Sequence, residues 1–330
     1  SPYRLGADFV RKISSFTNVE RRAVISSHDI PTTYELPLVF HEQKLDEIAL
    51  EKLKLDSREA DLEQWKKMVE RIKGSSHEVT IAIVGKYIDL HDSYKSIHEA
   101  LFHGGIANSA TVNLLKVDSE GLEKEGAPEE KLGGVDGILI PGGFGQRGIL
   151  GMVKAAQYAR EHAVPLFGIC LGMQVMVIEY ARSILGYEDA DSTEFSPDSD
   201  HGVVSLLEEQ VDVTLYGGTM RLGRSKTVLT EGTKIRECYG TDEVWERHRH
   251  RYEVANQFRE ELADGGLVIG GVTPEGTLVE SIEWPEHPWG IGVQFHPEFR
   301  STPIVPHPLF SSFIRASVER TRSEETDSAQ

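Results

Sequence analysis

Short apolar runs alternate with amphipathic segments through most of this 330-residue chain. Five runs have the length and composition of buried strands: residues 79–85, 111–117, 135–140, 165–169 and 290–295. Three other segments have helical character: residues 92–102, 148–161 and 171–178. This alternation is typical of an open, mostly parallel sheet flanked by helices. We therefore predict an α/β fold with an antiparallel edge extension, formed by the turn-rich, β-branched segments at 211–215 and 217–223.

The first part of the chain has a different pattern. Its apolar positions form only isolated pieces: an amphipathic helix at 9–16, a short strand at 23–26 and an apolar stretch at 34–41 interrupted by proline. Residues 1–55 therefore resemble a fragment of something larger, and the charged helix within 56–77 predicts a linker. We expect the α/β domain to cover 78–316 and the polar segment 317–330 to be a flexible tail.

The candidate chemistry centres on Cys170. This residue follows an apolar run and precedes a helical segment, so it falls at a strand-to-helix turn between Gly168 and Gly172. The pattern is the thiol version of a nucleophile elbow, in which small neighbours permit a strained turn. A thiol with a pKa of about 8.5 needs a decrease of roughly 1.5 units, worth about 2 kcal/mol, to ionise substantially at neutral pH. Because a helix N-terminus contributes roughly 0.3 to 2 kcal/mol, a nearby protonated histidine is expected to contribute the remainder.

His296 is the simplest candidate for that histidine. It ends the predicted strand at 290–295, and Glu298 lies two residues further along the chain. Residues two apart in an extended chain point the same way, so Glu298 can orient the imidazole while His296 faces Cys170. A capped strand end with a solvated Glu-His pair is the alternative. The elbow favours a Cys-His-Glu triad.

A glycine-rich turn follows the predicted strand at 135–140. Its three glycines, at 142, 143 and 145, would let the backbone approach a bound group closely. A backbone N–H of this turn could join that of Leu171 in holding an oxyanion. A tight turn into a helix is the plainer interpretation, and the neighbouring elbow favours the oxyanion loop. The sequence contains no GxxxxGK[ST] motif, which excludes a nucleotide P-loop.

Two polar segments leave alternatives open. Glu194 lies in a polar loop after the elbow helix, where a solvated acid is the simpler interpretation. Residues 247–251 hold three arginines and two histidines, which suits either a charged surface strand or a contact from one arginine to an anion or carboxylate. Adjacent arginines repel a cation, so we predict no metal site.

Composition limits the class of protein. With 39% hydrophobic and 27% charged residues the chain is that of an ordinary globular protein, and its net charge of −18 argues against a nucleic-acid partner. No apolar run approaches the roughly 18 residues of a membrane span, and no secretory signal is recognisable. The two cysteines, Cys170 and Cys238, fit a reducing, cytoplasmic setting in which a structural disulfide is not expected.

Three motifs together resemble the class I, triad-type glutamine amidotransferases: GICLGMQ at 168–174, PGGFG at 141–145 and FHPEF at 295–299. Further segments narrow the resemblance to CTP synthases: VGKY at 84–87, DSYKS at 92–96, STEF at 192–195, GTMRLG at 218–223, RHRHRYEV at 247–254 and QFHPEFRST at 294–302. The resemblance covers residues 9–316 and implies a flavodoxin-like amidotransferase domain. It also implies that residues 1–55 are the C-terminal remnant of a synthetase (amidoligase) domain.

The resemblance implies a specific activity. Cys170 would attack the side-chain amide of glutamine, release ammonia and leave a glutamyl thioester that water hydrolyses, with His296 as acid and base. Positions that bind glutamine carry over to Gly142, Gly143, Leu171, Gly172, Met173, Gln174, Glu194 and Arg251. Glu194 suits the ammonium group of glutamine and Arg251 suits its carboxylate.

The resemblance also implies the setting of the whole family enzyme, which makes CTP from UTP, ATP and glutamine. ATP acts there with Mg²⁺, GTP is the activator, and we expect no cofactor within this chain. Lys12 matches a lysine that contacts UTP, and Ile30 matches a position beside the adenine of ATP. Most of the nucleotide site has no counterpart, so we expect incomplete synthetase activity from a truncated chain, a partial gene product or one subunit of a split enzyme. A homo-oligomer or a partner synthetase subunit fits this expectation.

Two alternatives stay open. The first is a catalytically silent module that assembles with a complete synthase, which intact Cys170, His296 and Glu298 disfavour. The second is a γ-glutamyl hydrolase-like cysteine hydrolase, which shares the elbow. The arginine-rich run and the HPEF segment disfavour that second alternative.

Overall fold

A computed structural model describes residues 3–56, 59–88, 90, 92–124, 126–206 and 220–328, with side chains as far as residue 323. The chain divides into two compact units, Ser1–Gly74 and Ser75–Gln330. The first unit contains short helices: α1 (Ala7–Thr17), α2 (Leu36–Glu42), α3 (Leu45–Leu53) and α4 (Glu63–Lys73).

The first unit differs from the sequence prediction at residues 23–26, and it shows which structure the apolar stretch at 34–41 adopts. The strand predicted at 23–26 is wrong, because irregular chain follows a 3₁₀ turn at Arg21–Ala23. The N–H and C=O groups of Ser26 pair instead with the side-chain amide of Gln43, at 2.7 and 2.9 Å, so this backbone needs no partner strand. The apolar stretch at 34–41 is largely helical, since Pro37 lies in the first turn of α2, where a missing N–H costs no hydrogen bond.

The second unit alternates strands and helices before it becomes mainly strands. Its elements in chain order are β1 (His77–Gly85), α5 (Lys95–Asn108), β2 (Ala110–Asp118), α6 (Ala127–Leu132), β3 (Gly137–Ile140), α7 (Ile149–Glu161), β4 (Leu166–Ile169), α8 (Leu171–Ser183), β5 (Val204–Leu206), β6 (Arg221–Leu229), α9 (Lys234–Tyr239), β7 (Glu243–His250), β8 (Tyr252–Val254), α10 (Arg259–Asp264), β9 (Val268–Val272), β10 (Val279–Glu283), β11 (Gly290–Val293) and α11 (Pro308–Ser328).

One large sheet organises this unit. Within the described residues its strand order is β2-β1-β3-β4-β11-β10-β9-β6-β7, and β5 pairs with β8 in a separate small sheet. The five strands from β2 to β11 are parallel, and the four that follow are antiparallel. The predicted fold class, a mostly parallel sheet with an antiparallel edge extension, is therefore confirmed.

The antiparallel half is larger than the sequence indicated. The predicted strand at 211–215 and the first three residues of that at 217–223 lie outside the described residues, and β6 begins at Arg221. At the other end of the unit, α11 continues to Ser328 and buries Ser317 and Val318, so residues 317–328 are helical.

Apolar layers cover both faces of the sheet. One layer joins the sheet to α7, α8 and α10, and the other joins it to α5 and α11. Phe167 of β4 lies at the centre of the second layer, where its ring centroid is 5.3 Å from that of Trp289 and 5.2 Å from that of Phe310. Parallel strands buried on both faces in this way hold their carboxyl ends in fixed positions.

Candidate active site

Three neighbouring parallel strands end at the same edge of the sheet. The glycine-rich loop follows β3, Cys170 follows β4, and His296 follows β11, and these strands lie side by side in the order β3-β4-β11. A cavity of about 340 Å³ at this edge is lined by Gly142, Gly143, Cys170, His296 and Glu298, among others. Strand order thus brings together residues that are separated by more than a hundred positions in sequence.

Cys170 occupies a strained turn directly before α8. Its φ of +54° is unusual for a residue with a side chain, and such a conformation costs on the order of 1–3 kcal/mol. Both flanking glycines are required by close packing. A Cβ on Gly172 would lie 2.0 Å from the carbonyl oxygen of Ile140, and one on Gly168 would lie 2.6 Å from the sulfur of Met176. The local geometry is that of the predicted elbow.

Two polar groups of the protein lie close to the sulfur of Cys170. The side-chain amide of Gln294 donates to Sγ at 3.7 Å, and the carbonyl oxygen of Arg249 lies 3.9 Å from Sγ. Gln294 is held in turn by Gln174, whose Nε2 donates to Gln294 Oε1 at 3.2 Å and to the carbonyl of Tyr252 at 2.9 Å. The side-chain amide of Gln174 therefore makes its hydrogen bonds within the protein, and it holds the residue that contacts Sγ of Cys170.

His296 is fixed between a carboxylate and the thiol. Its Nδ1 lies 2.8 Å from Glu298 Oε1, and its backbone N–H donates to the carbonyl of Arg247 at 2.8 Å. Nε2 is buried and has no partner with ordinary hydrogen-bond geometry among the described residues. Burial alone would lower the pKa of His296, but interaction with Cys170 and with Glu298 outweighs it and raises that pKa to about 10. A proton on the imidazole is thus stabilised beside the sulfur.

The glycine-rich loop packs closely against both groups. A Cβ on Gly142 would lie 3.0 Å from His296 Cε1 and 3.5 Å from Cys170 Cβ, and one on Gly143 would lie 3.2 Å from a methyl carbon of Leu171. A side chain at Gly142 would enter the space between the loop and Cys170, and one at Gly143 would press against Leu171 and Lys86. The backbone of this loop therefore forms one wall of the cavity.

These observations can be set beside known proteins. Residues 89–316 match the glutamine amidotransferase class-I family, and residues 1–55 match the family described as CTP synthase N-terminus. The glutaminase domain of Trypanosoma brucei CTPS with bound acivicin is 42% identical, with a TM-score of 0.69, over 73% of this chain and 94% of that chain. The chain belongs to the CTP synthase family. Its second unit carries the class-I amidotransferase domain of that family.

Full-length relatives agree with this family membership. The CTP synthases of Carboxydothermus hydrogenoformans and Geobacter sulfurreducens are each 51% identical to this CTP synthase-family chain over 96% of its length. The chain spans 59% of the length of each of these curated relatives. The predicted resemblance to CTP synthases is confirmed.

The remaining predicted site residues lie in three parts of the second unit: the start of α8, the loop that holds Glu194, and the junction of β7 and β8. Leu171, Gly172 and Met173 form the buried first turn of α8. Glu194 lies beside the glycine-rich loop, where its Oε1 accepts the N–H of Gly145 at 2.9 Å. Arg251 is half-buried at the junction of β7 and β8, and the cavity wall contains Arg249 rather than Arg251. The proposed contacts of these residues with glutamine stay predictions.

Two predicted nucleotide contacts lie in the first unit. Lys12 is exposed on α1, with its Nζ 6.0 Å from the ring centroid of Phe9, and Ile30 is half-buried in irregular chain before α2. Their roles stay predictions as well.

One wall of the cavity was missed by sequence reasoning. It comes from the chain between β1 and α5, from the first turn of α5 and from two aromatic residues near His296: Tyr87, Ser93, Tyr94, Ser96, Ile97, Phe144 and Phe299. The available signal was the VGKY segment at 84–87, which ends a buried strand. Its importance depends on β1 lying next to β3, and strand order cannot be deduced from periodicity.

The arginine-rich run forms β7, which is not a plain charged surface strand. Burial alternates along β7, so that Glu246, His248 and His250 face inward while the three residues Trp245, Arg247 and Arg249 are exposed. Alternation follows from the period of two in a strand. The inward side chains meet buried polar groups of neighbouring strands.

Five polar side chains from β6, β7, β8 and β10 form a closed ring, here called the buried ring: Arg221, Glu280, His248, His250 and Glu253. Around it, Arg221 lies 2.7 Å from Glu280 and 3.4 Å from Glu253. Each carboxylate lies 3.3 Å from a histidine, and the two histidines approach each other at 3.0 Å.

The charge state of the buried ring follows from burial. Burial lowers the pKa of His248 to about 2 and that of His250 to about 3, and Arg221 adds to both decreases. Burial raises the pKa of Glu253 to about 8 and that of Glu280 to about 7, which Arg221 opposes. The two histidines are therefore neutral, a proton is favoured on Glu253, and Glu280, 2.7 Å from Arg221, is the carboxylate that balances the guanidinium.

Three further findings concern metal binding, membrane spans and the cysteines. In the described ranges, no group of three or more His, Cys, Asp or Glu is arranged to hold a metal ion. A search of the same ranges finds no helix that is both long and apolar enough to cross a bilayer. Cys170 and Cys238 are both free thiols.

Proposed function

We propose that this chain hydrolyses glutamine to glutamate and ammonia through a Cys170-His296-Glu298 triad. The observation that carries the proposal is the meeting of the strand ends of β3, β4 and β11 around one cavity. Membership of the class-I amidotransferases supports glutamine as the substrate. The raised pKa of His296 supports an imidazolium paired with a thiolate.

The reaction would proceed in two halves. The Cys170 thiolate attacks the amide carbon of the glutamine side chain, and the carbonyl oxygen becomes an oxyanion. His296 gives its proton to the amide nitrogen, the C–N bond breaks, and ammonia leaves a glutamyl thioester. Water then loses a proton to His296 and attacks the thioester carbon, and the C–S bond breaks to release glutamate and restore the thiolate. Glu298 orients the imidazole throughout.

The surrounding residues would bind glutamine and the oxyanion. The backbone N–H groups of Leu171, at the start of α8, and Gly143, in the glycine-rich loop, would donate to the oxyanion. The loop with Gly142 and the first turn of α8, with Gly172, Met173 and Gln174, would shape the pocket. Glu194 would receive the ammonium group of glutamine and Arg251 its carboxylate.

In the whole protein, the released ammonia would serve the amination of UTP to CTP with ATP and Mg²⁺. The match of residues 1–55 to the CTP synthase N-terminus supports this role, with Lys12 beside UTP and Ile30 beside adenine. GTP would act as an effector of the glutaminase reaction, and a homo-oligomer or a partner synthetase subunit would complete the site. Two free thiols fit a cytoplasmic setting.

A glutaminase assay tests the proposal directly. Purified protein is incubated with glutamine, with and without GTP, and glutamate and ammonia are measured together. We expect release in a 1:1 ratio, loss of release in Cys170→Ala, and unchanged release in Cys238→Ala, which removes the other thiol. Equal background rates for wild type and Cys170→Ala under every condition would contradict the proposal.

A further inference from the structure

Lys86 is a buried cation that the proposed reaction does not use. It directly follows β1, is only 4% exposed, and lies beneath the glycine-rich loop. Its Nζ donates to the carbonyl oxygen of Phe144 at 3.3 Å and to that of Gly145. Its side-chain carbons approach within 3.8 Å of the position that a Cβ on Gly143 would occupy. The lysine therefore supports the loop from inside the protein.

A single peptide unit is held at both ends. Lys86 binds the carbonyl of Phe144, and the N–H of the same peptide, which belongs to Gly145, donates to Glu194 Oε1 at 2.9 Å. The C=O and N–H groups of a planar trans peptide point in opposite directions. Anchoring both groups therefore fixes the rotation of that peptide plane. Gly145 has a φ of +78°, so glycine tolerates this orientation without strain.

The ammonium group of Lys86 carries its positive charge in a buried position, which is unfavourable by itself. Burial lowers the pKa of Lys86 to about 8, while the negative charge of Glu194 opposes that decrease and the positive charge of Arg147 adds to it. A buried ammonium is costly unless it is hydrogen-bonded and paired. Here two loop carbonyls accept hydrogen bonds from the ammonium group, and the negative charge of Glu194 favours its charged form. An apolar side chain would fill the same space but could not orient the carbonyls.

The geometry points to Lys86 as a positioning residue for the oxyanion loop. Lys86 and Glu194 together fix the Phe144–Gly145 peptide, which lies two peptide units after the N–H of Gly143, and the side-chain carbons of Lys86 also pack close to Gly143. These contacts restrict the loop on both sides of Phe144 and so keep the N–H of Gly143 directed at the reacting carbonyl. The inference rests on the proposed glutaminase function and names a further residue on which its rate depends. Glu194 can still receive an ammonium group, because a carboxylate has about four acceptor positions.

Steady-state kinetics of Lys86→Met test the role. Met has a similar length but donates no hydrogen bond, so we expect kcat for glutamine hydrolysis to fall roughly 10- to 100-fold, since small displacements of a catalytic group have effects of this size. KM should change much less than kcat. Lys116→Met, at an exposed position on β2, is the matched control and should retain the wild-type kcat.

A second readout separates positioning from a damaged fold. Alkylation of Cys170 by iodoacetamide forms no oxyanion, so Lys86→Met should be alkylated at the wild-type rate although its kcat is lowered. Lys86→Arg keeps the charge and the donors, and we expect it to lose less kcat than Lys86→Met. Equal losses in the Arg and Met variants, or alkylation slowed as much as kcat, would overturn the inference.

The outcomes distinguish this inference from the proposed function. An active wild type with an equally active Lys86→Met overturns only the role of Lys86. A wild type that releases no glutamate contradicts the proposed function itself. Should Lys86→Met not fold, Lys86→Gln decides by the same comparison, because its side chain is shorter and carries no charge. A Gln variant with unchanged alkylation and a reduced kcat supports positioning, and one with wild-type values for both overturns it.

Discussion

At the scale of single residues, the proton on His296 matters most. An imidazolium is normally disfavoured by burial, and here two partners reverse that effect. Glu298 lies 2.8 Å from Nδ1, and Cys170 also interacts with the imidazole, so the sulfur and the carboxylate both stabilise the same positive charge. The chemistry of each residue therefore depends on the other two.

Replacement of Glu298 tests this dependence. Glu298→Gln keeps the shape of the side chain and removes its charge, so the pKa of His296 should fall from about 10. The protonated imidazole is present below that pKa and is lost as pH rises through it, so the alkaline limit of kcat/KM should move to lower pH. We expect kcat to decrease about 10²- to 10⁴-fold.

The matched control for this prediction is Glu260→Gln, at an exposed position on α10. Its pH profile of kcat/KM should coincide with that of the wild type. A Glu298→Gln enzyme with an unshifted alkaline limit would show that the carboxylate does not stabilise the imidazolium.

At the scale of elements, the elbow between β4 and α8 is the most constrained feature. Gly172→Ala would place a Cβ 2.0 Å from the carbonyl oxygen of Ile140, which forces α8 away from β3. We expect the free energy of unfolding to fall by about 1–3 kcal/mol, as for other overpacked sites, and the glutaminase rate to fall with it. Chemical denaturation measures the first effect.

A control on the same helix isolates the packing effect. Ser183→Ala lies at the exposed end of α8 and should change the free energy of unfolding by less than about 0.5 kcal/mol. If Gly172→Ala were as stable and as active as this control, the tight contact between α8 and β3 would not be a requirement of the fold.

The buried ring makes the free energy of unfolding of the protein depend on pH. Burial raises the pKa of Glu253 to about 8, above its ordinary value of 4.5, so the folded protein holds a proton that the unfolded chain releases. This contribution is present below about pH 4.5 and is lost as pH rises towards 8. Glu253→Gln mimics the protonated carboxyl and does not titrate.

We therefore expect Glu253→Gln to gain stability relative to the wild type as pH rises from about 5 to 8, by up to about 1 kcal/mol per pH unit. Urea unfolding at pH 5, 6.5 and 8 provides the measurement. Glu231→Gln, which is exposed, should follow the wild type at each pH. A pH-independent difference for Glu253→Gln would contradict the proton that Glu253 holds in the folded protein.

At the scale of the whole molecule, the residues proposed to act on glutamine all belong to the second unit, Ser75–Gln330. That unit contains the large sheet with both of its apolar layers. The glutaminase domain of Trypanosoma brucei CTPS, of which 94% is covered by this chain, has a comparable extent.

We expect a fragment of residues 75–330 to fold by itself and to hydrolyse glutamine. Its thermal unfolding, followed by circular dichroism, should be a single cooperative transition, because one continuous sheet supports the whole unit. The intact 330-residue chain is the control for the glutaminase rate. A fragment without cooperative unfolding would show that residues 1–74 are required for this fold.

Sequence patterns predicted the parallel half of the sheet well, because strands buried on both faces are continuous apolar runs. β1, β3, β4 and β11 all appear as such runs, and α7 lies between two of them. The antiparallel half of the sheet was harder to predict from the sequence. His248 and His250 belong to a highly charged run that resembles a solvated surface, and only pairing with β6 turns them inward.

The order of residues along the chain determined the elbow at Cys170, since a strand, small neighbours and a helix start are local properties of the backbone. It also placed His296 and Glu298 two residues apart at a strand end. Tertiary structure alone decided that β3, β4 and β11 are neighbours, that the buried ring closes, and that Lys86 reaches the glycine-rich loop. Those contacts join distant segments, and their free energy comes from packing the whole sheet, which no local periodicity encodes.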